Sequence, residues 1–287
     1  MDQKIIDLYD EYTHKPLERR VFLERLAGLV GGTAAASALL PLLENQYAQA
    51  AIVDPKDARL ETQVINYKGA TGDVRAYLVK AKEGPARRPG VVTIHENRGL
   101  TPYNEDVTRR VALEGFVGLG VDLLSPLGGT PENEDQAREM TGKLDRAQTV
   151  QNLVAAVAYL KGRPDVSGKV GAVGFCWGGG ITNLLAINSP DLVAAVPFYG
   201  PIPNAADVPK IKAKLLLHYA GLDQGINARI PEYEAALKAA GVSYTIHMYD
   251  GAQHAFHNDT GAARYNKEAA ELAWKRTVDF LKATLAG

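Results

Sequence analysis

The sequence predicts an α/β protein with a mostly parallel central sheet that is flanked by helices on both faces. From Ala58 onward, short β-branched and apolar runs alternate with longer segments whose apolar residues recur at helical spacing. Strands separated by such helices form β-α-β units with parallel strands. The 287 residues are 46% hydrophobic and carry a net charge of −1, which allows a substantial core and offers no basic surface for nucleic acid. One domain over residues 58–287 accounts for the pattern.

Individual strands are assigned from β-branched, apolar runs and from the turn residues between them. Residues 60–67 and 74–80 form a predicted hairpin, and the later strands are 90–95, 117–123, 170–173, 192–199, 215–219 and 244–249. Helical spacing of apolar residues predicts helices over 104–114, 133–161, 181–187, 230–240 and 262–285.

Between the strand 170–173 and the helix 181–187, residues 174–178 read G-F-C-W-G. A nucleophile on a sharp strand-to-helix turn needs small residues two positions before and after it. The same turn places the nucleophile at a helix N-terminus, where backbone N–H groups favour a thiolate and a developing oxyanion. We therefore predict that Cys176 is a nucleophile; the alternative is that this single cysteine is a buried apolar side chain.

Polar residues follow three other predicted strands at their carboxyl ends, where open α/β sheets bind ligands. Glu96 follows the third strand, Asp223 follows the strand that ends at Tyr219, and His254 follows the last strand. The order nucleophile, acid, histidine is that of the catalytic triad in α/β hydrolases.

Each of these assignments has a structural alternative. Asp223 lies in a Gly-Leu-Asp turn, where an aspartate can cap backbone N–H groups. Glu96 could be an ion-pair partner of Arg98. His257 competes with His254 for the role of base, although His254 lies nearer to the end of its strand.

These segments together resemble the dienelactone hydrolase (carboxymethylenebutenolidase) family of α/β-hydrolases, over roughly residues 60–285. The matching pieces are G-F-C-W-G-G at 174–179, His95-Glu96, Asp223 and G-A-Q-H-A-F at 251–256. The resemblance implies that Cys176 is the nucleophile of an ester or lactone hydrolase that forms an acyl-enzyme. His254 would then be the base, and Asp223 would hold its imidazole in the right tautomer.

The resemblance implies further roles at the ends of the third and fifth strands. Glu96 would sit against the resting cysteine and help to form the thiolate when substrate binds. The backbone N–H groups of Trp177 and Asn97 would form the oxyanion hole. No metal and no organic cofactor are expected, and no Cys/His cluster has zinc-ligand spacing.

The substrate is less well defined by the resemblance. Bacterial dienelactone enzymes hold the substrate carboxylate with two arginines, and the corresponding stretches here, 122–126 and 254–258, contain none. Arg98 could supply a positive charge from the other side of the pocket, but a bidentate clamp would be lost. We therefore expect a small-molecule ester or lactone that is less anionic than dienelactone. A non-catalytic binding or scaffold protein on the same fold is the alternative, and a homo-oligomer is left open.

The first fifty residues differ from the rest of the chain. A twin arginine at Arg19-Arg20, an uncharged run over 26–43 and an A-x-A sequence at 48–50 predict an export signal over residues 1–50. The mature enzyme would then be periplasmic or otherwise exported. The segment before Arg19 is acidic, which favours the alternative of a cytoplasmic protein with a retained N-terminal arm. Glycines and a proline within the uncharged run argue against a stable membrane span.

Overall fold

The computed structural model describes residues 1–15, 17–46 and 52–286. The A-x-A sequence at 48–50 lies outside the described residues. The strands of the described chain are β1 (Leu60–Gly69), β2 (Gly72–Ala81), β3 (Arg88–Ile94), β4 (Val117–Val121), β5 (Val166–Phe175), β6 (Leu192–Phe198), β7 (Lys214–Ala220) and β8 (Tyr244–Tyr249).

All eight of these strands form one sheet in the order β1-β2-β4-β3-β5-β6-β7-β8. The pairs β1–β2 and β2–β4 are antiparallel, and every other neighbouring pair is parallel. The predicted hairpin and the mostly parallel sheet are therefore confirmed. The carboxyl ends of β3, β5, β7 and β8 lie at one edge of the sheet, and the predicted site residues follow these strands.

The helices of the described chain are α1 (Gln3–His14), α2 (Arg19–Val30), α3 (Thr33–Leu43), α4 (Pro102–Leu113), α5 (Glu134–Lys143), α6 (Arg146–Lys161), α7 (Trp177–Asn188), α8 (Gln224–Asn227), α9 (Ile230–Ala239) and α10 (Lys267–Leu285). The long helical region predicted over 133–161 consists of two helices, α5 and α6, because the chain leaves the helical conformation at Leu144. Asp145 then caps α6 by accepting a hydrogen bond from Gln148 N. The predicted closing helix over 262–285 begins later, at Lys267, where Asn266 caps α10.

Apolar side chains cover both faces of the sheet. Val92 of β3 packs in the core with α6, α7 and α9, whereas its neighbour Val91 packs in the core with α4 and α10. Successive side chains of a strand point to opposite faces, so this alternation places helices on both sides, as predicted.

Helices α1, α2 and α3 form an N-terminal arm (the described residues 1–15 and 17–46) with a small apolar core of its own. Tyr12 and Phe22 stack in that core with ring centroids 4.4 Å apart, and Ala263 of the domain packs against it. Among the described residues, no single helix has the length and apolar composition needed to cross a membrane. The pair α2–α3 meets the criterion of length and composition, as a signal sequence also would, but is bent by 110° at its break.

Polar contacts fix the arm on the domain. Tyr12 Oη donates a hydrogen bond of 2.5 Å to Asp135, which also pairs with Arg19 at 2.9 Å. Asn97, after β3, donates to the carbonyl oxygen of Thr13 at 2.6 Å. These contacts place the end of α1 over the carboxyl edge of the sheet.

Candidate active site

Cys176 lies on the sharp turn between β5 and α7 and caps the helix N-terminus. Its backbone angles are φ 55° and ψ −120°, a conformation that is strained for a residue with a Cβ atom. A Cβ atom on Gly174 would overlap with the carbonyl of Gly178, and one on Gly178 would overlap with the carbonyl of His95. The two glycines therefore allow β3, β5 and α7 to approach closely enough to form the turn.

The structure brings His254 and Asp223 together at the neighbouring strand ends. His254 Nδ1 lies 2.6 Å from Asp223 Oδ2. The other carboxylate oxygen of Asp223 accepts a hydrogen bond from Ile226 N at 3.2 Å. Asp223 thus caps α8 with one oxygen and orients the imidazole with the other, so its structural and functional interpretations are compatible.

The imidazole of His254 is oriented toward the nucleophile. One ring nitrogen of His254 lies within 4.8 Å of Cys176 Sγ. Because Nδ1 is engaged by Asp223, Nε2 is the nitrogen left for the sulfur, and Nε2 is buried without a hydrogen-bond partner among the described residues. Burial alone would lower the pKa of His254, but Cys176 and the Asp223 carboxylate raise this pKa well above its ordinary value.

The competing histidine, His257, is part of the apolar core. Its Nδ1 lies 2.7 Å from Tyr103 Oη, and its ring packs against Phe175 and Trp274. Burial lowers the pKa of His257 well below its usual value. The structure therefore gives His254, and not His257, the contact with Asp223.

Glu96 lines the same small cavity as Cys176 and His254. Its Oε2 accepts a hydrogen bond of 2.7 Å from Asn258, and burial raises its pKa above the ordinary carboxyl value. The hydrogen bond of Cys176 Sγ in this structure is with His14. His14 of the arm therefore makes the hydrogen bond to the sulfur, and Glu96, which was expected beside the resting cysteine, lines the same cavity.

The residues expected to form the oxyanion hole flank the nucleophile. Trp177 is the first residue of α7, and Asn97 follows β3. Both line the groove that contains Cys176. The close approach of Gly178 to the carbonyl of His95 holds these two backbone segments side by side.

Two arginines line the cavity beside Cys176. Arg98 is almost fully buried and pairs with Glu134 at 3.3 Å. Arg264 is also buried, pairs with Asp10 of the arm at 2.8 Å and lies over the ring of Tyr9. Arg264 was not predicted from the sequence, because it lies in the loop before α10, beyond the stretch 254–258 that follows the last strand.

The sequence analysis also missed His14, the last residue of α1. His14 Nε2 lies 3.0 Å from Cys176 Sγ, and the ring centroids of His14 and His254 are 4.5 Å apart. His14 Nδ1 lies 2.8 Å from the carbonyl oxygen of Asp10. Because a carbonyl only accepts hydrogen bonds, Nδ1 carries a proton and Nε2 of the neutral ring presents its lone pair to the sulfur.

A nucleophile elbow with an acid and a histidine at the carboxyl ends of later strands defines an α/β hydrolase. Comparison with known proteins gives the family. The model of the dienelactone hydrolase family matches residues 74–285, and a second model, described as YqhI-like, matches residues 1–31. The chain belongs to the dienelactone hydrolase family and is a carboxylic ester or lactone hydrolase, as the sequence predicted.

Curated relatives support this assignment over most of the chain. The chain is 35% identical over 229 residues to a Methylorubrum extorquens protein named "Putative carboxymethylenebutenolidase", covering 74% of this chain and 77% of that protein. It is 30% identical over 234 residues to a Bradyrhizobium protein named "Probable 2-oxo-3-(5-oxofuran-2-ylidene)propanoate lactonase", covering 76% and 93%.

The fold is also that of solved structures. A dienelactone hydrolase-like promiscuous phosphotriesterase from metagenomic libraries matches with a TM-score of 0.71 at 22% identity, covering 79% of this chain and 100% of that chain. A likeness at this identity establishes the fold alone.

Proposed function

We propose that the protein hydrolyses a small ester or lactone through an acyl-enzyme on Cys176, with His254 as base and Asp223 as its orienting acid. The observation that carries this proposal is the His254–Asp223 pair, held at 2.6 Å beside the elbow that presents Cys176. An activated nucleophile needs a base that is oriented by a third group. Asp223 orients His254 in this way, and one ring nitrogen of His254 lies within 4.8 Å of Cys176 Sγ.

In this mechanism the thiol proton of Cys176 passes to His254 Nε2, and the thiolate attacks the carbonyl carbon. The backbone N–H groups of Trp177 and Asn97 stabilise the oxyanion of the tetrahedral intermediate. His254 then donates its proton to the leaving alkoxide, which stays attached to the acyl chain when the substrate is a lactone. Water gives a proton to His254 and cleaves the thioester, which releases the carboxylic acid and restores the thiol. Asp223 stabilises the imidazolium during both steps.

Glu96 has the second proton-accepting role in this proposal. Its carboxyl group is buried in the cavity beside Cys176. Because burial raises the pKa of Glu96, this pKa lies closer to that of a thiol than the pKa of an exposed glutamate does. Substrate binding that draws the sulfur away from His14 would allow Glu96 to assist in forming the thiolate.

The shape of the site favours an ester or lactone with an apolar portion. A groove of about 620 Å³ leads to Cys176 and is lined by the apolar side chains of Trp177, Pro201, Leu222 and Ile226. The cavity on the other side of the nucleophile, beside Arg264, has only about 20 Å³ of free space, because the arm fills it. Asp10 already neutralises Arg264, which supports a substrate that is less anionic than dienelactone.

The experiment that tests the proposed function is hydrolysis of dienelactone and of a neutral aryl ester by the wild type, Cys176→Ala and Cys176→Ser. We expect both activities to be lost in Cys176→Ala, and the neutral ester to be the better substrate of the wild type. Undiminished activity in Cys176→Ala would exclude the cysteine mechanism. Accumulation of a thioester adduct of the substrate's acyl mass in the wild type, and its absence in Cys176→Ala, would identify the acyl-enzyme directly.

Export through a twin-arginine signal stays a prediction. The packing of the arm on the domain, through Tyr12, Arg19 and Asp10, supports the alternative that the arm is retained in the working enzyme. Cell fractionation with mass spectrometry of the purified protein tests both: a periplasmic protein that lacks its first fifty residues supports export, and a full-length cytoplasmic protein supports the retained arm.

A further inference from the structure

We propose that His14, Cys176 and His254 form a three-ligand site for a transition-metal ion of the zinc type, and that the bound ion holds the enzyme in an inactive state. The metal site rests on geometry alone. The inactive state also rests on the proposed function, because it requires Cys176 and His254 to be the reacting groups.

The ligand atoms have the spacing that a metal ion needs. One ring nitrogen of each histidine and Cys176 Sγ all lie within 4.8 Å of one another, and His14 Nε2 lies 3.0 Å from Sγ. In a tetrahedral zinc site, bond lengths of about 2.0–2.3 Å place neighbouring ligand atoms about 3.5 Å apart. Separations of 3.0 Å for one pair and at most 4.8 Å for the others are near enough to this value for side-chain rotations to bring the three atoms to one ion.

The chemistry of the donors selects the class of ion. Two imidazole nitrogens and one thiolate suit zinc, and also cobalt as its spectroscopic substitute, whereas magnesium and calcium prefer oxygen ligands. Three protein ligands would leave a fourth position for water, which could reach the ion through the groove that all three ligand residues line.

Both histidines have the outer hydrogen bond that metal-binding histidines show. His14 Nδ1 lies 2.8 Å from the carbonyl oxygen of Asp10, and His254 Nδ1 lies 2.6 Å from the Asp223 carboxylate. Such acceptors fix the tautomer and direct the Nε2 lone pair at the ion. The second contact is explained by the triad. The first has no part in the proposed hydrolysis; it is a contact at the C-terminus of α1 that holds His14 in the tautomer a metal ion requires.

The surrounding charges are compatible with a divalent ion. The Cys176 thiolate, Asp223 and Glu96 lie on the side of the site that faces the domain, and the nearby Arg264 is paired with Asp10. On binding, Cys176 loses its thiol proton to solvent and the sulfur forms a bond to the metal. The ion then occupies the lone pairs of both the nucleophile and the base, so neither can react until the ion leaves.

The site is tested by metal titration of the full-length protein with Co²⁺ and Zn²⁺, which requires no substrate. We expect one equivalent of Co²⁺ to produce a thiolate-to-cobalt charge-transfer absorption band, and Zn²⁺ to remove it by competition. His14→Gln should weaken Zn²⁺ binding at least about tenfold, measured against a chromophoric chelator. Cys176→Ser should abolish the band. His247→Gln, which removes a histidine from β8 outside the site, is the matched control and should bind like the wild type.

Unchanged Zn²⁺ affinity in His14→Gln, or equal loss in His247→Gln, would overturn the site. Thermal unfolding by circular dichroism shows whether His14→Gln is folded, and His254→Gln tests the same site from the opposite side if it is not. Inhibition is measured separately: Zn²⁺ should abolish wild-type hydrolysis and a chelator should restore it. A protein that binds Co²⁺ through its thiolate but hydrolyses neither test compound would contradict the proposed function and leave the metal site established.

Discussion

His14 Nε2 lies 3.0 Å from Cys176 Sγ, although 162 positions separate the two residues in the sequence. The contact exists because α1 ends above the carboxyl edge of the sheet, where the elbow presents the sulfur. The hydrogen bond of the sulfur in this structure is therefore made to His14, whereas Nε2 of His254 has no hydrogen-bond partner among the described residues. The sulfur must leave this hydrogen bond before it can attack a substrate.

His14→Ala should therefore make Cys176 more reactive toward a thiol reagent. Removing the acceptor and the covering ring should raise the rate of alkylation by iodoacetamide by roughly two- to tenfold, the effect of one net hydrogen bond. The rate is measured by mass spectrometry, and His247→Ala serves as the control for loss of a histidine elsewhere. Slower alkylation of His14→Ala would mean that His14 instead promotes the thiolate.

Asp223→Asn separates the two roles of Asp223. Asparagine is as good a helix cap as aspartate, so the hydrogen bond to Ile226 N and the stability of the protein should be kept. The amide does not stabilise an imidazolium, and kcat/KM should fall by roughly three to four orders of magnitude. Steady-state kinetics with a neutral aryl ester check this. A fall of less than tenfold, with normal thermal unfolding, would show that Asp223 only caps α8.

The sequence predicted the sheet and the elbow because both depend on local patterns. Gly174 and Gly178 flank the cysteine at the spacing that the close approach of β3, β5 and α7 demands. Asp223 and His254 were predictable because carboxyl ends of parallel strands meet at one edge of the sheet.

The contributions of the arm could not be predicted in this way. His14 and Arg264 reach the cavity from a helix and a loop that do not follow a strand of the sheet's carboxyl edge, and no local sequence pattern marks either residue. His14, Cys176 and His254 come from three distant segments, so only their placement in space joins them. The acidic character of the segment before Arg19 was the local sequence feature that favoured a retained arm, because it does not suit an export signal. One of those acids, Asp10, pairs with Arg264.

Asp10→Asn should shift substrate preference toward anionic compounds. Loss of the Asp10 charge frees Arg264, which lines the cavity beside Cys176, to pair with a substrate carboxylate. We expect kcat/KM for dienelactone to rise about tenfold relative to that for a neutral aryl ester, which corresponds to one charge-assisted hydrogen bond. Glu24→Gln removes one negative charge from α2 of the arm, where Glu24 is exposed and pairs with Arg20, and it should leave the ratio unchanged. Equal ratios for the two variants would exclude Arg264 as an anion-binding residue of the site.

Gly178→Ala should destabilise the fold, because its Cβ atom would meet the backbone carbonyls of His95 and Ile94, which do not move like the end of a flexible side chain. We expect a loss of at least about 2 kcal/mol in the free energy of unfolding. Gly142→Ala is the matched control: it lies on the exposed face of α5 with no atom near its Cβ position, and it should stabilise the protein by about 0.5–1 kcal/mol. Urea denaturation gives both values. A Gly178→Ala protein as stable as the wild type would mean that the backbone around the turn can shift without a loss in the free energy of unfolding.

Acid should weaken the fold through His257. Burial lowers its folded-state pKa well below 6.5, its ordinary value, so the unfolded chain binds a proton at a pH where the folded protein does not. The stability contributed by the neutral ring is complete above about pH 6.5 and is lost as the pH falls below it, by about 1.4 kcal/mol per pH unit for one such group.

His257→Gln keeps a polar partner for Tyr103 Oη but does not titrate. Unfolding free energies measured from pH 8 to pH 5 should therefore fall more steeply for the wild type than for His257→Gln, with the two curves separating only below about pH 6.5. His218, which is buried and also has a lowered pKa, is present in both proteins and cancels in the comparison. Parallel curves over the whole range would show that His257 is not held neutral by the fold.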